Sequence, residues 1–155
     1  MSQISTVVWK CMDNRIPKSE PSLPESLDLQ SGEYFEIATM GASKPLADAI
    51  RENALEYERT LVGQLNTFKK KGVERIYDYH HGRCVAYDIS DLVLEQRTQF
   101  SDQYLVKLYI EENYGIEVVP VWGSLIDPSG DLIINRIIQE RELIACSKGL
   151  ELEAL

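Results

Sequence analysis

The sequence is short of positive charge, of cysteine and of long apolar runs, and each shortage removes a class of protein. Lysine and arginine number 16 against 25 aspartates and glutamates, for a formal net charge of -9. Nucleic acid and anionic membranes both demand a basic footprint, so neither is expected as a main partner. No stretch approaches the roughly 18 consecutive apolar residues of a membrane-spanning helix. The longest apolar clusters, such as Val118-Val119-Pro120-Val121-Trp122, are strand-sized. The start, Met1-Ser2-Gln3-Ile4-Ser5-Thr6, has no charged region leading into an apolar stretch and a cleavage site. Three cysteines, Cys11, Cys84 and Cys146, are an odd number in a chain long enough to bury a core without staples. A cytoplasmic, reducing location is expected, where spaced cysteines more often serve metals or catalysis.

What is present suits one folded domain over residues 1–155. Hydrophobic residues make up 44% and charged residues 26%, an ordinary globular balance. No repeat, low-complexity segment or linker divides the chain. Ile4 to Trp9 is a continuous β-branched run of the kind found in buried parallel strands. Pro17 to Gly32 reads as loop. A second strand is expected at Tyr34 to Thr39. A long helix should follow from Ser43 or Lys44, with Pro45 in its first turn. Leu46, Ile50, Ala54, Leu61, Leu65 and Phe68 mark its apolar face, and Lys69, Lys70, Lys71 and Gly72 mark its end. Val73 to Tyr79 reads as a third strand and His80 to Cys84 as a loop. Ala86 to Asn113 reads as mostly helical, with a break near Ser90-Asp91. Glu117 to Ile126 reads as a fourth strand, Asp127 to Asp131 as a turn and Leu132 to Ile134 as a short returning strand. A last helix is expected over Arg136 to Ser147. Strands alternating with helices predict an α/β fold with a central, mostly parallel sheet, flanking helices and one antiparallel edge strand.

Two clusters carry chemistry. Cys11-Met12-Asp13-Asn14-Arg15 follows the first strand, and His81-Gly82-Arg83-Cys84 follows the third. Both fall at the carboxyl ends of parallel strands, the edge where sites form in open α/β sheets. An extended backbone would place Cys11, Asp13 and Arg15 on one side, and a turn can fold His81 and Cys84 onto one centre. Two thiolates and one imidazole are a ligand set for catalytic zinc, which leaves a fourth position open and lowers the pKa of a water there to about 7. A helix start at Cys84 would favour its thiolate. If Asp13 and Arg15 pair, Asp13 is held ionised and can orient the attacking oxygen. If the pair breaks, Asp13 can itself fill the fourth zinc position. The plainer assignments are solvated lysines at 69–71, a simple helix start at Gly41 to Lys44, packing roles for Cys146, Tyr77, Tyr79 and Tyr87, and His80 as the rival to His81.

These two motifs resemble those of the β-class carbonic anhydrases, which carry C-x-D-x-R after the first strand and H-x-x-C after the third. Gly32 to Ile37, Lys71 to Tyr77 and Val121 to Gly130 are similar to that family's second strand, its approach to the histidine and its final strand and turn. The resemblance implies that Cys11, His81 and Cys84 bind zinc and that Asp13 and Arg15 form a catalytic dyad. It implies reversible hydration of carbon dioxide to bicarbonate by a homodimer or larger homo-oligomer. The chain departs from the family at Ala38 to Ser43, where a Gly-Asn-Ala-Gly-like run is usual, and at Asn14 and Val85. Two alternatives therefore stand beside carbon dioxide hydration. One is hydrolysis of carbonyl sulfide or carbon disulfide on the same fold. The other is a catalytically silent zinc site with a structural or interaction role.

Overall fold

Val7, Val8 and Trp9 are buried on a strand that has parallel neighbours on both edges. In the computed structural model, which describes residues 3–13, 22–30, 32–125 and 133–149, strand β1 (Thr6–Cys11) lies between β2 (Tyr34–Thr39) and β3 (Arg75–His81). Beyond β3 lies β4 (Glu117–Leu125), also parallel, and then the antiparallel edge strand β5 (Ile133–Ile137). The five-stranded order is β2-β1-β3-β4-β5. The mostly parallel sheet with one antiparallel edge is therefore as the sequence predicts. The expected turn at Asp127 to Asp131 lies outside the described residues.

Helices cover the two faces. On one, α2 (Lys44–Arg51), α3 (Arg59–Lys70) and α4 (Leu92–Tyr114) pack Leu46, Leu61, Leu65, Val106 and Ile110 against Val7, Trp9, Ile76 and Val118. On the other, Leu23 and Leu27 pack with Val8, Tyr77, Tyr79 and Val121. A third cluster joins Phe100 of α4, Trp122 of β4 and Leu143 and Cys146 of α5 (Glu140–Ser147), so Cys146 has the packing role expected of it. Truncating a side chain as buried as Trp9 or Phe100 to alanine costs about 3–5 kcal/mol. No helix among the described residues is long and apolar enough to cross a membrane.

Four local expectations are corrected. The segment read as loop holds a short helix α1 (Leu23–Ser26), started by a reciprocal capping pair between Ser22 and Glu25 with Pro24 in its first turn. The long helix after β2 is broken: α2 stops at Arg51, Asn53 takes a left-handed conformation (φ 51°), a single 3-10 turn spans Leu55–Tyr57, and α3 begins at Arg59. The helix expected from Ala86 starts only at Leu92, where Asp91 accepts from the Leu94 N–H as its N-cap. Arg136 belongs to β5, opposite Trp122, and α5 starts at Glu140 behind a Gln139–Glu142 capping pair.

Candidate metal centre

The strand order explains how residues 70 positions apart can meet. After β2 the chain returns to the far side of β1, so β1 and β3 are adjacent and parallel, with Lys10 opposite Tyr79. Their carboxyl ends lie side by side at the switch point of the sheet. Cys11 is the last residue of β1. His81 is the last residue of β3, inside the strand and not in the loop expected there, and it faces Gly123 of β4. The chain then turns through Gly82, whose N–H donates to the Gly123 carbonyl at 3.1 Å, and through Arg83 in a left-handed conformation (φ 54°) to Cys84.

That turn closes a cluster. One donor atom each from Cys11, His81 and Cys84 lies within 4.8 Å of the others, and all three residues are buried. The two Sγ atoms are 3.8 Å apart. Two thiolates bound to one tetrahedral zinc at about 2.3 Å each would have their sulfurs about 3.8 Å apart, so the pair already has a metal's bite. His81 Nδ1 lies 2.8 Å from the Gly82 carbonyl oxygen. A carbonyl only accepts, so Nδ1 donates to it and Nε2 is the ring nitrogen available to a metal. Nε2 is buried and makes no hydrogen bond. A buried nitrogen without a donor, next to two sulfurs, fits a metal ion, and the Nδ1 bond to a backbone carbonyl is the usual device that orients a metal-binding histidine.

The electrostatics divide the two thiols unequally. A hydrogen bond with Cys84, opposed by burial and aided by His81 and by the Gly41 N–H at 3.4 Å, holds Cys11 down to about 4. The same bond to Cys11, with burial, pushes Cys84 up. The helix start expected at Cys84 is absent: its carbonyl accepts from the Tyr87 N–H in a turn eight residues before α4 begins. Gly41 can approach Cys11 because it has no side chain. It sits at φ 76°, and a Cβ there would lie 2.8 Å from the Cβ of Ala86.

Asp13 lies beside the cluster, with Oδ2 3.7 Å from His81 Nε2. Arg15, its expected partner, lies outside the described residues. His80, the rival histidine, is taken up elsewhere. Its Nε2 is 2.9 Å from Ser43 Oγ and its Nδ1 2.9 Å from Gln99 Oε1, in a buried group that includes Asp78. Ser43 donates to Asp78 Oδ2 at 2.6 Å and does not cap α2. Burial alone would lower His80, but the Asp78 carboxylate raises it overall. Tyr87 donates to Asp102 at 2.6 Å, and Tyr79 to Asn135 at 2.7 Å, so both serve the packing of the fold.

Sequence reasoning missed Glu95, Gln99 and Gln103. All three are buried, and their polar groups meet the backbone around the site. Their i, i+4, i+8 spacing, which puts three polar residues on one helix face, was the available signal.

No family model matches the chain, and no curated protein sequence matches it. Solved structures do. A carbonic anhydrase of Glaciozyma antarctica superposes with a TM-score of 0.52 at 11% identity, over 86% of this chain and 82% of that one. A β-carbonic anhydrase of Aspergillus fumigatus gives 0.43 at 14% identity over 97% and 84%. The apo form of a carbon disulfide hydrolase gives 0.40 at 11% over 85% and 78%. The chain has a carbonic-anhydrase-like fold, with a Cys11–His81–Cys84 group at its sheet edge that could bind a metal ion.

Proposed function

We propose that the chain is a zinc-dependent lyase of carbonic anhydrase type, catalysing the reversible hydration of carbon dioxide to bicarbonate. The observation that carries this reading is the set of three buried donor atoms within 4.8 Å of one another at the carboxyl edge of the sheet, with the Asp13 carboxylate beside them. When bound there, zinc supplies the Lewis acidity that ionises a water near neutral pH. Cys11 and Cys84 would hold it as thiolates and His81 through Nε2. Asp13 accepts a hydrogen bond from the reacting water and sets the direction from which it meets the carbon. Arg15 would pair with Asp13 and orient that carboxylate, as the motif resemblance implies. The reaction releases its proton to buffer.

The fold and the donor chemistry support this reading. A homodimer or larger assembly in the cytoplasm is part of the proposal. Among the described residues β2 pairs only along one edge, and all three cysteines are free. Stopped-flow assays of the purified protein with carbon dioxide, and sulfide release from carbonyl sulfide and carbon disulfide, test the substrate. Carbon dioxide hydration without sulfide release is expected. Sulfide release without hydration would make it a hydrolase, and zinc binding without turnover of any of the three would mark a silent site.

A further inference from the structure

We propose that Glu95 is a positioning residue that sets the geometry of the metal-binding loop, clamping the backbone of Arg83 and Cys84 from helix α4. The inference rests on the metal-site reading and goes beyond it by assigning a role to a side chain outside both sequence motifs.

Glu95 lies in the first turns of α4 and is 1% exposed. Its Oε1 accepts from the Arg83 N–H at 2.6 Å and its Oε2 from the Cys84 N–H at 2.8 Å. Two oxygens of one carboxyl group thus receive two consecutive backbone donors, an arrangement that fixes orientation as well as distance. Arg83 needs such restraint, because φ 54° is costly for a residue with a side chain and persists only where the surroundings impose it. Neither N–H is left for the Cys84 sulfur.

The helix is itself well placed to bear the load. Asp91 caps its start by accepting from Leu94 N–H at 2.9 Å, and its N-terminal end favours a nearby negative charge. One turn after Glu95, Gln99 Nε2 donates to the His81 carbonyl at 2.8 Å. A further turn on, Gln103 Nε2 donates to the carbonyls of Asp78 at 2.9 Å and Val121 at 3.1 Å. One face of α4 therefore holds β3, the end of β3 at His81 and the Cys84 end of the loop in register. A buried carboxylate is an expensive way to fill space. At this position it offers two acceptors and no donor, which glutamine of the same shape does not.

A merely structural cap would change the melting of the metal-free protein without changing how the folded protein grips its ion. The test is therefore zinc affinity, by competition with a chromophoric chelator, together with the visible spectrum of the cobalt-substituted protein, for wild type, Glu95→Gln and the distant surface variant Leu108→Ala. Loss of zinc affinity by about 10- to 100-fold in Glu95→Gln, with altered cobalt ligand-field bands, is expected, as for other residues that orient metal ligands. Leu108→Ala should match wild type. Glu95→Gln that folds, binds zinc within about twofold of wild type and keeps the cobalt spectrum overturns the inference while leaving the metal site standing. Wild type that binds no zinc overturns the metal-site reading and this inference with it. If Glu95→Gln does not fold, amide exchange in metal-free wild type decides. Slow exchange at Arg83 and Cys84 is expected, and exchange as fast as in exposed loops overturns the clamp.

Discussion

The Sγ atoms of Cys11 and Cys84 stand 3.8 Å apart, buried, across 73 positions of sequence. That separation is too long for a disulfide and right for two sulfurs on one ion. Removing one of them should empty the site. Cys84→Ala is expected to lower zinc affinity by at least about 100-fold, more than the loss of an orienting residue would. Metal analysis of the purified variant beside wild type checks it, and undiminished zinc content would show that the two sulfurs do not share a metal.

Gly41 couples the β2–α2 turn to Cys11. Gly41→Ala would put a Cβ 2.8 Å from the Cβ of Ala86 at a backbone angle that disfavours side chains. A destabilisation of about 1–3 kcal/mol is expected from the overpacking. Because the Gly41 N–H also reaches Cys11 Sγ, zinc affinity should fall with it. Urea unfolding with and without zinc separates the two effects.

Asp78, His80 and Ser43 form a buried polar group behind the site. Asp78→Ala leaves Ser43 without its acceptor and His80 Nε2 without the carboxylate 3.3 Å away, and loss of one member of a buried pair typically costs about 3–5 kcal/mol. Chemical denaturation of the metal-free protein measures it. An effect below about 1 kcal/mol would show that water readily replaces the carboxylate.

At the sheet's antiparallel edge, burial would raise Glu142, but the two-point contact with Arg136 at 3.0 Å holds its carboxyl below the ordinary value overall. A depressed carboxylate contributes stability that is present above its unfolded pKa and is lost as the pH falls through the folded one. Glu142→Gln should therefore be less stable than wild type at neutral pH, and the difference should shrink as the pH drops below the ordinary glutamate range. Thermal melts from pH 7 to about pH 3 follow that convergence. A constant difference would mean that Arg136 does not recognise the charge.

How far all this could be read from the chain depends on what kind of signal each part sends. Val7-Val8-Trp9 and most of Val118 to Trp122 are buried on the two faces of a parallel sheet, so their apolar runs announce the strands. Cys11 and His81 could be paired because both fall at strand ends, and the strand order then did the rest. The break at Asn53 left no mark in the apolar spacing, because Leu46, Leu61 and Leu65 still face the same core. Arg136 looked helical because its role is tertiary: it pairs with Trp122 in register and lies 5.9 Å over the Phe100 ring. Ser22 and Glu25 did carry a legible capping signal inside the segment read as loop. Glu95 left only the i, i+4, i+8 spacing it shares with Gln99 and Gln103, which shows a polar helix face but not its partners, backbone groups whose positions exist only after folding.

The measurement that bears most directly on the account is zinc content together with stopped-flow carbon dioxide hydration across pH, for wild type and Asp13→Ala. The account predicts about one zinc per chain in both, from the three-ligand site, with hydration by wild type rising through neutral pH and falling about 100-fold or more in the variant. Zinc-loaded wild type that hydrates no carbon dioxide at any pH, or Asp13→Ala that hydrates it as fast as wild type, would contradict it.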